Sequence, residues 1–303
     1  MASQSAPSSP ALVALPVRPA PAARSRGWRR AGRVAYYVVA IALALVFLFP
    51  FAWALIRSLQ GPAAEGSPPT LGSLVHLTLQ NYTGLLGSGT TLWHYAGNSL
   101  IVAVGTALLT GVVATLAGYG LSRLRFPGSG IVFVVILAPF MVPFQAMLTA
   151  LFTVLVWLHL NNTLPGLIGV YATFQLPFCV FIMRNSFSAV PKEIEDAALV
   201  DGASTGSILG RVMIPLARPG IVTVILFAFV FAWNEFLAAL MLLTSDTRMT
   251  LPVALNNLAS AAYGRVNFGS LDAGAVVAMV PCLLVFLVLQ RAYVRGITAG
   301  AVK

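Results

Sequence analysis

Four of the eight acidic residues in this 303-residue chain fall in one short run, Pro191-Lys192-Glu193-Ile194-Glu195-Asp196-Ala197-Ala198-Leu199-Val200-Asp201-Gly202. Carboxylates beside two alanines make a charged, low-relief surface suited to recognition by a partner; the plainer alternative is a solvated amphipathic loop helix. Local chemistry favours short helices. Pro191 suits a first helical turn, where its missing N–H is no loss, Glu193 and Glu195 favour the positive helix N-terminus, and Gly202 suits a left-handed stop. A helix ending near Gly202 is therefore expected, then a second from about Ser204 carrying Ile208, Leu209 and Val212, with Pro215 opening the next apolar run. A second polar group, Trp233-Asn234-Glu235, lies inside an apolar run and offers an indole for stacking and an amide and carboxylate for hydrogen bonding.

Other chemistry finds no constellation. His76, His94 and His159 are scattered, with no HExxH or nucleophile motif, so no catalytic acid–base group is expected. Cys179 and Cys282 sit in apolar runs without ligand spacing, so neither a disulfide nor a metal site is expected. A phosphate-binding loop needs Gly-x-x-x-x-Gly-Lys-Ser/Thr, whose amides and lysine hold the phosphates. The only lysines are Lys192, which follows Pro191, and Lys303. The chain therefore binds no ATP in that way, and no cofactor of its own is expected. A net charge of +10 raises the question of nucleic acid. Such a site needs its cations on one soluble face among aromatics, whereas these cations flank apolar runs, so no nucleic acid is expected.

The elements that must position these residues are membrane helices. The chain is 58% hydrophobic and 9% charged, with mean hydropathy +0.89. No Asp, Glu, Lys or Arg stands between Arg33 and Arg57, Arg125 and Arg184, or Asp272 and Arg291, and each gap holds spans of about 20 residues. The runs lack the alternation of barrel strands, so helices must satisfy the backbone in lipid. Six spans are predicted: Ala35 to Ile56, Ala96 to Leu121, Ile131 to Val156, Leu164 to Met183, Leu216 to Leu243 and Gly274 to Gln290. With both termini on one side, fifteen of the eighteen Lys and Arg residues share that side, and only Arg57, Arg248 and Arg265 oppose them. Positive charge stays inside, so both termini are expected in the cytoplasm.

The resulting organisation is a disordered cytoplasmic tail over residues 1–33, a first span and outer loop over 34–95, a core over 96–295 containing the loop 191–214, and a cytoplasmic tail over 296–303. The tail is rich in Ala, Pro, Ser and Arg. The apolar run from Val34 to Ile56 is longer than a signal-peptide core of about 7 to 15 residues, so it should remain as an anchor. Residues Gly61 to Tyr95 suit a loop across the outer surface. Ala107, Gly111, Ala114 and Gly118 share one helical face, where backbones can approach closely. Pro139 and Pro143, then Pro177, should disturb the third and fourth spans.

The acidic loop resembles that of permeases from binding-protein-dependent ABC importers, which carry Glu-Ala-Ala, three residues, Gly, about nine residues and Ile-x-Leu-Pro. Here the pattern reads Asp196-Ala197-Ala198, Leu199-Val200-Asp201, Gly202 and later Val212-Met213-Ile214-Pro215. Asp196 replaces the motif Glu with Glu195 adjacent, leaving open which of the two makes the principal partner contact. Asn98-Ser99-Leu100, Arg123-Leu124-Arg125-Phe126-Pro127-Gly128, Trp233-Asn234-Glu235-Phe236 and the end from Gln290 to Lys303 are similar to carbohydrate-uptake permeases of the maltose or oligosaccharide type, especially the second permease of a pair.

The resemblance covers roughly Trp28 to Lys303 and implies an all-α fold of the type I importer permease. It implies a coupling helix formed by Glu195, Asp196, Ala197, Ala198, Asp201 and Gly202. It further implies a heterodimer with a second permease in the bacterial cytoplasmic membrane, two ATPase subunits using ATP and Mg, and an extracytoplasmic solute-binding protein delivering a carbohydrate. An ion-coupled secondary transporter is the alternative, but it would bury coupling carboxylates near the midplane, where only Glu235 qualifies, and no internal repeat is visible. Glu235 lies eight residues before Leu243, about 12 Å from the end of its span at about 1.5 Å per residue. Facing lipid would cost at least about 2.5 kcal/mol, so it should face the bundle. There it either lines a sugar path with Trp233 and Asn234 or pairs with neighbouring helices or the partner permease.

Overall fold

The computed structural model describes residues 26–61, 77–87, 92–124, 126–260 and 267–301. Among them the fold is helical, apart from an isolated antiparallel bridge between Gln60 and Leu77. Residues through Pro50 form one compact unit and those from Phe51 onward another. His76, Arg125, Arg265 and residues 1–25 of the expected tail lie outside the described residues.

The first helix, α1 (Arg26–Ser58), begins inside the expected tail, seven residues before its end at residue 33. The outer loop contains α2 (Gln80–Gly87), and α3 (Leu92–Arg123) starts four residues before the predicted Ala96. Along α3 the small-residue face is buried: Ala107, Gly111, Ala114 and Gly118 lie against neighbouring helices, while Leu100, Ile101, Leu108, Val112 and Leu116 are exposed. A β-carbon on Gly118 would stand 2.6 Å from the Met183 side chain and 2.9 Å from backbone, so this crossing needs glycine. Small residues inward and large apolar residues outward are the pattern of a helix packed in lipid.

The third predicted span is not one helix. α4 (Ser129–Leu137) continues as a 3-10 turn, Ala138–Met141, and then bends by 105° into α5 (Phe144–Trp157). Val142 is extended at φ −91° and ψ 130°, the conformation that a following proline imposes, so Pro143 sets the break. α6 (Leu164–Ser188) runs unbroken through Pro177; its start is capped by Thr163, whose Oγ1 accepts from the Gly166 N–H at 3.1 Å.

After α6 come α7 (Lys192–Val200) and α8 (Thr205–Ile208), a π-helical stretch Leu209–Met213, α9 (Ile214–Leu216) and α10 (Arg218–Asn234). The fifth span is likewise divided. α10 has 17 residues, about 25 Å at about 1.5 Å per residue, and stops at Glu235. α11 (Leu237–Leu242) then carries the chain on, and α12 (Leu251–Ala259) precedes α13 (Phe268–Ala301). α13 continues through Pro281, so the expected C-terminal tail at 296–303 is helical as far as Ala301. Among the described residues, four helices are long and apolar enough to cross a membrane, and up to six spans result if two bent pairs, Ser129–Met141 with Phe144–Trp157 at 105° and Thr205–Leu216 with Arg218–Asn234 at 77°, each count as one.

α3 is the central helix from Phe51 onward, with α6 and α10 packed on it and α13 behind α10. Two clusters form the core. One gathers Val102, Ala103, Leu167, Tyr171, Trp233 and Leu251. The other gathers Ala114, Tyr119, Met183, Phe187, Ile208 and Met213, and so anchors α8 and the π-helical stretch beneath α7.

Candidate functional site

α7 and α8 form a helix-turn-helix whose turn is set by backbone chemistry. The N–H groups of Asp201, Gly202 and Ala203 close on the carbonyls of Ala197, Leu199 and Ala198 at 3.1, 3.0 and 3.0 Å. Gly202 sits at φ +79°, the left-handed stop its position called for. Ser204 caps α8, its hydroxyl accepting from the Ser207 N–H at 3.4 Å. Ile208, 1% exposed, and Met213, wholly buried, pin the second arm into the core, leaving α7 as the projecting arm.

The carboxylates of α7 do not all face the same way. Glu193, Asp196 and Asp201 are exposed, as are Ala197 and the apolar Ile194, Leu199 and Val200, while Ala198 is half-buried. Glu195 turns inward. Its Oε1 accepts from the Tyr119 hydroxyl at 3.0 Å and its Oε2 faces Arg123 Nε at 3.5 Å. Arg123 Nη2 donates in turn to the carbonyls of Phe187 and Val190, at the end of α6 and in the turn that follows. A cleft of about 520 Å³ opens beside this group, lined by Ser122, Lys192, Asp196, Leu199 and Thr205 among others. Tyr119 is not marked by the sequence, and Arg123 stands out there only within Arg123-Leu124-Arg125-Phe126-Pro127-Gly128; the signal for their joint role is the i, i+4 spacing at the end of a span, but nothing local names Glu195, some 70 residues away, as the partner.

The second polar group sits at the α10–α11 break. Trp233 is buried, stacked on Phe229 at 6.1 Å, and its Nε1 donates to the Ala278 carbonyl of α13 at 2.9 Å. Asn234 is exposed, with its Nδ2 donating to the Val230 carbonyl at 2.8 Å. Glu235 is half-buried and faces the bundle. It accepts from the Tyr171 hydroxyl and from the N–H groups of Ala238 at 3.0 Å and Ala239 at 3.3 Å. These are the N–H groups of a helix start, which have no partner within the helix, so the carboxylate itself makes the break stable. Trp233 and Glu235 thus spend their polar groups inside the chain, and the α7–α8 turn and this break are separate features of one bundle.

Beyond these groups, Asn162 Oδ1 accepts from the N–H groups of Thr244 and Ser245 at 3.0 and 3.2 Å, and Asn98 donates to the carbonyls of Thr247 and Met249 at 3.0 and 2.9 Å. Asn98 thereby holds the segment after α11 against α3, and Asn162 holds it against the turn between α5 and α6.

Two bent membrane helices around a central α3, with a helix-turn-helix projecting between α6 and α10, define a transport-type membrane subunit. Residues 107–299 match the family of binding-protein-dependent transport system inner membrane components, and the chain belongs to that family. It is 34% identical over 278 residues to the trehalose transport system permease protein SugB of Mycobacterium tuberculosis, covering 90% of this chain and 99% of that one. It is 33% identical over 275 residues to the trehalose/maltose transport system permease protein MalG of Thermococcus litoralis, covering 89% and 97%. In fold it is similar to a bacterial ABC transporter involved in the import of the acidic polysaccharide alginate, with TM-score 0.73 at 24% identity, over 88% of this chain and 98% of that one. The protein is therefore an ABC importer permease of the inner membrane, a transport component and not a catalytic subunit.

Proposed function

We propose that the chain moves a di- or oligosaccharide into the cell by alternating access, as one half of a permease heterodimer. Two separate ATPase subunits hydrolyse ATP with Mg, and an extracytoplasmic solute-binding protein delivers the sugar. The observation that carries this reading is the projecting α7, anchored on its inner side and presenting Asp196, Ala197, Leu199 and Val200 outward. An exposed helix with acid and apolar groups side by side is a surface for a partner, and the relatives named for trehalose and maltose transport supply the substrate class. Of the two neighbouring carboxylates, Asp196 is the one available to an ATPase. The fifteen-to-three distribution of Lys and Arg supports a cytoplasmic side for α7 and both termini.

Asn234 is the member of the Trp233-Asn234-Glu235 group that remains on the surface, so it is the one offered to a sugar path completed by the second permease. The chain uses ATP only through its partners, in keeping with the missing phosphate-binding loop. The test is to purify the chain with its co-expressed partners and measure ATP hydrolysis as the binding protein presents different sugars. Stimulation by a di- or oligosaccharide is expected. An ATPase that does not co-purify, or stimulation only by a non-carbohydrate solute, contradicts the reading.

A further inference from the structure

Neighbouring carboxylates of α7 stand in opposite surroundings. Asp196 is exposed, whereas the Glu195 and Arg123 side chains are 13% and 9% exposed. An ion pair so enclosed is screened far less than one on the surface, and removing one partner leaves the other charge uncompensated. Arg123 also donates to the Phe187 and Val190 carbonyls, a favourable place for a cation at a helix C-terminus. Tyr119 is 4% exposed and lies edge-on to Phe187 with ring centres 5.6 Å apart, so packing aims its hydroxyl at Glu195. One guanidinium and one phenol therefore tie together the end of α3, the end of α6 and the middle of α7.

We infer that Glu195 is a positioning residue that locks α7 to α3 and α6 through Tyr119 and Arg123, so that α7 moves as one body with the membrane helices while Asp196 meets the partner. The inference deepens the reading of α7 as the ATPase-docking helix and rests on it. A docking helix free to pivot would hold an ATPase but transmit little; transmission requires an element whose arrangement both sites bias.

Two readouts separate positioning from docking: the amount of ATPase that co-purifies with the permease, and the stimulation of ATP hydrolysis by sugar-loaded binding protein over the basal rate. Glu195→Ala should retain the ATPase but lose stimulation by about tenfold, the scale of one network coupling. Glu195→Gln keeps an oxygen for the Tyr119 hydroxyl and should lose less. Tyr119→Phe should weaken stimulation in the wild-type background and add nothing to Glu195→Ala, because it removes only the hydroxyl that the alanine has already orphaned. Asp196→Lys should instead lose the ATPase. Full stimulation in Glu195→Ala, loss of ATPase as complete as in Asp196→Lys, or full additivity with Tyr119→Phe would each overturn the positioning role. A wild-type chain that retains no ATPase overturns the docking reading itself and the inference with it, and is distinguishable because it appears before any substitution is made.

Discussion

Gly202 combines a φ of +79° with open space around the position a β-carbon would take, so its requirement is conformational and not steric. A β-branched residue is strained there by about 1 to 2 kcal/mol, whereas asparagine tolerates the left-handed region. Gly202→Val should therefore weaken ATPase co-purification and Gly202→Asn should preserve it; equal behaviour of the two variants contradicts the capping role. At Glu235 the same logic concerns hydrogen bonds. Glu235→Ala removes the acceptor for the Ala238 and Ala239 N–H groups and the Tyr171 hydroxyl, at about 1 to 3 kcal/mol for each donor left buried and unsatisfied. A lower melting temperature in detergent is expected, with Glu235→Gln closer to wild type. Lost transport at an unchanged melting temperature would instead assign Glu235 to the sugar path.

Among elements, the α3–α6 crossing depends on contact at Gly118. Gly118→Leu must displace Met183 or its backbone, an overpacking typically costing about 1 to 3 kcal/mol. Gly120→Leu, two residues on, meets nothing within 4 Å and serves as the control. Thermal unfolding of the two variants should differ by several degrees, and equal values would show that the helices do not need this approach. The small face of α3 was legible in the sequence because a 3.6-residue period is a local property. So were α7 and α8, since Pro191, Gly202 and Ser204 act on their own backbone. The break after Pro143 was foreseeable as a disturbance, but its 105° angle depends on what the two halves pack against. The break at Glu235 was hidden, with no proline or glycine to announce it: the residue that ends α10 does so by turning its side chain back onto α11. The inward turn of Glu195 was hidden too, because adjacent acids look alike until a distant Arg123 and Tyr119 choose one of them.

At the scale of the whole molecule, the distribution of charge and the projecting α7 must agree on one orientation. A single cysteine at exposed Val200, with Cys179 and Cys282 replaced, should resist an impermeant thiol reagent in intact cells and react in inside-out vesicles. Labelling in intact cells would place the loop outside and remove it from any cytosolic ATPase. Transport through this chain should be driven by ATP hydrolysed on a separate subunit and not by an ion gradient. The most direct measurement is sugar uptake into proteoliposomes holding the chain with its partner permease and ATPase, with ATP and the loaded binding protein supplied and no ion gradient imposed. Uptake is expected under those conditions, and its loss in Asp196→Lys. Uptake that proceeds without ATP when a proton or sodium gradient is imposed on the chain alone would contradict it.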